Sequence, residues 1–124
     1  VPVAALVTKD DVIGYREFKG AFAENYVLQS LSTQSTVNLR YWTSNNSAEV
    51  DFLLQYDTHI LPIEVKSGKS TSSRSLTLYN AEKHPILRIR YSDKELKLDD
   101  NLLNIPLYMA DWTFALLDRV IASL

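Results

Sequence analysis

Three side chains set the chemistry to be considered first: Asp51, Glu64 and Lys66, spaced as Asp-x12-Glu-x-Lys. Two carboxylates on neighbouring strands repel unless something positive lies between them. A hard divalent cation such as Mg²⁺ or Mn²⁺ does this and favours oxygen ligands. Such a cation polarises a phosphoryl oxygen and lowers the pKa of a bound water. A lysine two residues beyond the second carboxylate lies on the same side of its strand, where its ammonium can orient the attacking water or meet developing negative charge. The same residues also fit a half-exposed face of alternating surface ion pairs, and the spacing alone leaves that alternative open.

The elements that must position these residues are a hairpin and a helix. Residues 48–56 and 59–66 both alternate apolar and polar side chains, as half-buried strands do. If they pair across a two-residue turn at Asp57-Thr58, Asp51 faces Glu64 and Glu49 faces Lys66. The two-residue period then places Glu49, Asp51, Glu64 and Lys66 on one face, and Val50, Phe52, Ile63 and Val65 on the other. Asp-Thr is not a favoured two-residue hairpin turn. Pro62 lacks an amide hydrogen and belongs where the ladder needs none.

A helix is expected over 16–31, where Phe18, Ala21, Phe22, Leu28 and Leu31 recur at helical spacing. Gly20 weakens it by about 1 kcal/mol relative to alanine. Glu24 falls in the same stripe as Ala21, Leu28 and Leu31, and a buried unpaired glutamate is costly. It therefore needs a partner: a cation shared with Asp51 and Glu64, or else solvent, Lys19 or Arg40.

A further strand is expected at Val37 to Thr43, followed by a turn at Ser44 to Ser47. A helix over Ser72 to Asn80 should be capped by a preceding hydroxyl. More strands are expected at 86–91, Leu96 to Leu98 (an edge) and Ile105 to Met109. Asp111 reads as the N-cap of a last helix carrying Trp112, Leu116 and Val120 beside Leu117 and Ile121. This is an α/β layout with a mixed sheet and one domain over residues 1–124.

Composition narrows the function classes. With 46% hydrophobic and 23% charged residues, the chain reads as an ordinary globular domain. No apolar run approaches the roughly 18 residues of a membrane span. The absence of cysteine excludes disulfides and thiolate chemistry and suits a cytoplasmic location. The net charge of −2 is unevenly spread. Residues 58–91 carry six basic and two acidic side chains, so the basic excess surrounds Glu64 and Lys66 and suits a phosphate backbone as well as plain solvation.

Lys69, Arg74 and Arg88 are the phosphate-contact candidates, with Arg90 alternating on the same strand as Arg88. Gly68-Lys69-Ser70 mimics the end of a phosphate-binding loop, but the required first glycine falls at Ile63. His59 and His84 read as surface residues. The tyrosines and Trp42 read as packing rather than base-stacking groups.

A glutamate on a first helix, an aspartate on a strand and Glu-x-Lys on the next resemble the PD-(D/E)XK, restriction-endonuclease-like superfamily. More closely, FKGAFAENYVLQSL, YWTSNNSAEVDFLLQ, ILPIEVKSGKSTSSRSL and NIPLYMA, spanning about Phe18 to Ala110, resemble a prokaryotic domain of unknown function. That domain is found C-terminal to an AAA-type ATPase module. The resemblance implies a restriction-endonuclease-like αβββαβ core with extra C-terminal strands and helix. It also implies Glu24, Asp51 and Glu64 as metal ligands, the Val65 backbone carbonyl as a further ligand, and Lys66 as the catalytic lysine. Val50 stands where the superfamily name has proline. The implied activity is Mg²⁺- or Mn²⁺-dependent hydrolysis of DNA, with RNA second, in a domain that ends a longer ATPase and that works as a dimer in many restriction-type folds. The competing expectation is a non-catalytic module that binds nucleic acid or a protein for that ATPase.

Overall fold

A computed structural model describes the backbone of residues 9–34, 39–43, 49–68 and 73–124, and the side chains of 20–34, 50–68 and 73–124. Chain order is α1 (Lys9–Gln34), β1 (Leu39–Thr43), β2 (Glu49–Tyr56), β3 (His59–Val65), α2 (Arg74–Lys83), β4 (Arg88–Ser92), β5 (Lys97–Asp99) and β6 (Leu102–Pro106). A 3-10 helix (Leu107–Trp112) and α3 (Thr113–Ala122) follow. The six strands form one mixed sheet in the order β1-β2-β3-β4-β6-β5. β1–β2 and β2–β3 are antiparallel, β3–β4 and β4–β6 are parallel, and β5 closes the edge antiparallel to β6. The α/β class and mixed sheet expected from the sequence are both present.

The sheet is covered on both sides. Ala23, Val27 and Leu31 of α1 pack with Phe52, Leu54, Leu61, Ile63, Val65, Ile89 and Tyr91, joined by Leu117 of α3. On the opposite face Leu76 and Tyr79 of α2 pack with Val50, beside Leu53 and Leu102. α1 is longer than expected, and its buried ridge differs. Ala21 and Phe22 face solvent, with Phe22 61% exposed. Apolar residues surround this helix on several sides, so their spacing does not single out the buried face. The side chain of Phe18 lies outside the described residues. Gly20 touches the site region: a Cβ there would lie 3.4 Å from Ser67 Oγ, so α1 approaches the end of β3 closely.

The β2–β3 hairpin has the expected register, from Tyr56↔His59 to Phe52↔Ile63, around the two-residue turn. Asp57 makes that turn with φ of 55°, a left-handed conformation that aspartate tolerates better than most residues. Pro62 sits one residue before the β3–β4 pairing begins at Ile63↔Ile89, so no hydrogen bond is lost.

Other boundaries moved. The strand expected at Ile105 to Met109 lies at Leu102–Pro106, and the chain after Pro106 winds into the 3-10 helix. Asp111 belongs to that 3-10 helix and does not cap α3. The Phe114 amide of α3 donates instead to Gln34 Oε1, contributed by the end of α1, while Gln34 Nε2 donates to the carbonyls of Ser30 and Ala110. A cap from 80 residues away leaves no local sequence pattern. Trp112, expected in the apolar stripe of α3, is 56% exposed, and Thr113 and Leu117 are the buried pair. Ser72 and the turn at Ser44 to Ser47 lie outside the described residues.

Candidate functional site

The site begins with a defect in pairing. β1 meets β2 as Leu39↔Leu54 and Arg40↔Leu53, then as Trp42↔Val50 and Thr43↔Glu49. Two residues of β2, Asp51 and Phe52, therefore stand opposite the single Tyr41, which makes a β-bulge. Bulges re-aim side chains and often sit beside functional centres. Here the bulge breaks the alternation: Val50 joins Leu53 on the α2 face, whereas Phe52 and Leu54 face α1. The expected shared face of Val50 and Phe52 is thus corrected, because pairing with β1 inserts the extra residue.

At the bulge the Asp51 carboxylate turns toward β3. The next amide of β3 beyond the paired stretch, that of Val65, donates to Asp51 Oδ2 at 2.8 Å. Val65 thus engages the site through its N–H. Glu64 lies on the opposite side of β3 from Val65 and is buried, 7% exposed. Its Oε1 accepts an ion pair from Lys66 Nζ at 3.1 Å. Its Oε2 is buried and has no hydrogen-bond partner. Lys66 therefore pairs with its own-strand neighbour; the side chain of Glu49, its expected partner, lies outside the described residues, as do those of Lys19 and Arg40.

Electrostatics tie the three carboxylates together. Burial pushes the Glu64 carboxyl up, Lys66 opposes this by hydrogen bond and charge, the charge of Asp51 adds to it, and the Ser73 hydroxyl opposes it weakly. Burial also raises the Glu24 carboxyl, and again the Asp51 charge adds. Asp51 is therefore the shared neighbour of both glutamates. Glu24 lies beside the buried Ala23 and one turn before the buried Val27, so it faces the sheet, although Ala21 does not. Among the described residues, no three carboxylates or imidazoles stand close enough to hold one ion as their side chains lie. Asp51 is turned to the Val65 amide and Glu64 to Lys66, so each carboxylate is met by a local donor.

The phosphate-contact candidates separate. Arg74 opens α2 and is exposed. Lys69 lies outside the described residues. Arg88 is corrected: it is buried, and its Nε and Nη2 both donate to Asn101 Oδ1, at 3.0 and 2.8 Å. Burial lowers the pKa of its guanidinium, with the nearby Asp100 opposing. A strand arginine read as a ligand from alternation is here a structural clamp on the β5–β6 turn.

Arg90, its neighbour on the same face, is the residue sequence reasoning undervalued. Its Nε donates to Asn104 Oδ1 at 3.0 Å and its Nη1 to Ser73 Oγ at 2.9 Å. Its pairing with Glu64 across β3–β4 depends on a parallel crossover, which no local spacing announces. His59 and His84 line a groove by the hairpin turn with Tyr79 and Lys83, away from Glu64.

With this geometry, the comparison with known families is decisive on membership. A family model described as a domain of unknown function, DUF4143, matches residues 19–109, most of the chain. The chain belongs to the DUF4143 family. The match takes in Glu24, Asp51, Glu64, Lys66, Ser73 and Arg90, and so covers the whole candidate site of this DUF4143 domain. No curated protein matches the chain. No helix among the described residues of the DUF4143 domain is long and apolar enough to cross a membrane.

Proposed function

We propose that this DUF4143 domain is a divalent-cation-dependent phosphodiesterase of the PD-(D/E)XK, restriction-endonuclease-like kind, acting on DNA. The observation that carries the reading is Glu64 Oε2, a buried carboxylate oxygen without a hydrogen-bond partner, beside Asp51 and within its field. A buried acceptor left unmet is costly, and a Mg²⁺ or Mn²⁺ ion is the partner that suits an oxygen-only donor set. The order of helix, three strands, helix and strand supports the same reading.

Glu24, Asp51 and Glu64 would hold the cation only after Asp51 turns from the Val65 amide and Glu64 from Lys66, with the Val65 carbonyl as a further ligand. Bound there, the ion supplies Lewis-acid polarisation of the phosphate and a water of lowered pKa. Lys66 is half-exposed, and its Nζ has two donors beyond the one given to Glu64 Oε1. Released from Glu64, that ammonium orients the attacking water or meets the charge on the phosphoryl oxygens. Arg74 on the exposed start of α2, with Lys69 before it, would contact the flanking phosphates. An ATPase module in the full-length protein, self-association and a cytoplasmic location belong to the same proposal.

The test is plasmid nicking in Mg²⁺ or Mn²⁺ by the wild type and by the Asp51→Ala and Glu64→Ala variants. Nicking by the wild type alone, with all three folded, is expected; equal nicking by all three would overturn the reading. A second reading is a non-catalytic module that binds nucleic acid or a protein partner. The Glu64–Lys66 ion pair favours it, because it neutralises Glu64 without any cation. That module would bind DNA with steep salt dependence and cut nothing in any divalent metal.

A further inference from the structure

The outer stripe of α3 and of the 3-10 helix before it serves neither the core nor the candidate site. Thr113 and Leu117 supply the buried side of α3. Trp112, Ala115, Leu116 and Arg119, spaced i, i+3, i+4 and i+7, share a different face. With Tyr108 and Met109 of the 3-10 helix they line a groove of about 490 Å³. Tyr108 is 75% exposed and Trp112 56%, whereas Met109 and Leu116 pack partly against the main core. The core thus runs out to the surface here and ends in two aromatic rings left in water. Contiguous exposed apolar surface marks an interaction site. Tyr, Trp, Met and Arg are also the residue types that protein interfaces enrich.

Two opposite charges frame this stripe. Arg119 follows Ala115 by four residues and Asp111 precedes it by four. Residues three apart in a 3-10 helix lie on one side, so Asp111 stands on the side of Tyr108, at the edge of the groove. Both charged residues are exposed, and among the described residues neither side chain has a hydrogen-bond or ion-pair partner. Turning the stripe end for end about Ala115 sets Arg119 of one copy opposite Asp111 of the other, and does so twice. The same guanidinium then lies near the Trp112 ring of the second copy, whose face attracts a cation. The small Ala115 at the centre lets the two helices approach closely. A parallel arrangement sets Arg119 against Arg119 and Asp111 against Asp111, so the charges select the antiparallel one.

We propose that this groove is the docking surface for a second copy of the chain, in a two-fold contact centred on Ala115. A patch that complements itself in this way is an isologous interface, the commonest kind in soluble oligomers. Trp112 and Tyr108 are its apolar anchors, and the Arg119–Asp111 pairs at its rim set the register. The inference gives self-association a surface and stands without the cation, since none of Glu24, Asp51, Glu64 and Lys66 lines the groove.

The experiment is analytical ultracentrifugation of the chain over a wide concentration range without added metal. The wild type should show a monomer–dimer equilibrium, and Trp112→Ala should raise its dissociation constant about 10-fold or more. Arg119→Asp and Asp111→Arg should each weaken the dimer, because each sets like charges opposite one another. The double variant carrying both reversals should restore it. Thermal melting of the charge variants in dilute solution should stay close to that of wild type, because both positions are exposed. A wild type that is monomeric throughout would overturn the proposal and leave the groove to a different protein or a lipid surface. A dimer that Trp112→Ala and the single reversals leave unchanged, or that the double variant fails to restore, would overturn it as well. Each of these failures leaves the plasmid-nicking test of the cation reading untouched.

Discussion

Single residues decide most of the site's behaviour, and Glu64 is the most exposed to test. Burial raises its carboxyl, so the folded state binds its proton more tightly than the unfolded chain does. The stability this gives is complete below the unfolded value of 4.5 and is lost as pH rises through the raised folded value. Without added metal, Glu64→Gln should therefore melt higher than wild type at neutral pH. The two should converge as pH falls below about 4.5, the ordinary value of a glutamate carboxyl. A constant difference at all pH values would contradict the burial cause. Arg88 gives the opposite kind of test. Asn101→Ala leaves a buried guanidinium without its acceptor and should cost about 2 kcal/mol or more in denaturant unfolding. It should leave Mn²⁺ binding unchanged, since Arg88 serves the β5–β6 turn and not the site. The motif Asp51, Glu64, Lys66 was legible from spacing. The roles of Arg88 and Arg90 were not: both alternate on one strand, and only their partners, Asn101 for one and Ser73 with Asn104 for the other, distinguish them.

Elements were legible where the pattern is local. The hairpin register followed from two alternating strands and a two-residue gap, and Pro62 fell outside the β3–β4 ladder as its missing amide requires. The bulge at Asp51 was hidden because it arises from β1, which meets β2 with its own count of residues. The same bulge is what carries Asp51 to the Val65 amide. At the turn, Asp57 holds a left-handed φ of 55°. Asp57→Gly should stabilise the hairpin by up to about 1 kcal/mol in equilibrium unfolding, as glycine carries no Cβ penalty there; destabilisation would argue that the Asp57 side chain holds the turn. The cap of α3 lies on Gln34 rather than Asp111. Gln34→Ala should cost about 1 kcal/mol, and Asp111→Ala close to nothing.

At the scale of the molecule, the sheet separates structure from chemistry. One face and α1 carry the main core, the other holds α2 and the Glu64–Arg90–Asn104 row, and Glu24 joins from the helix beside the hairpin's open end. The α/β class and mixed sheet were legible because helical and strand periods alternate along the chain. The buried face of α1 was not, since Ala21 and Phe22 share its apolar spacing yet face solvent. Two glutamates raised by burial and by the charge of Asp51, with one buried oxygen unmet, make the cation the central claim. The direct measurement is a Mn²⁺ titration of wild type and Glu64→Ala, followed by plasmid nicking with the same samples. The account predicts saturable Mn²⁺ uptake and nicking by wild type, both lost in a Glu64→Ala domain that still melts cooperatively. Equal uptake and equal nicking by the two proteins would contradict it.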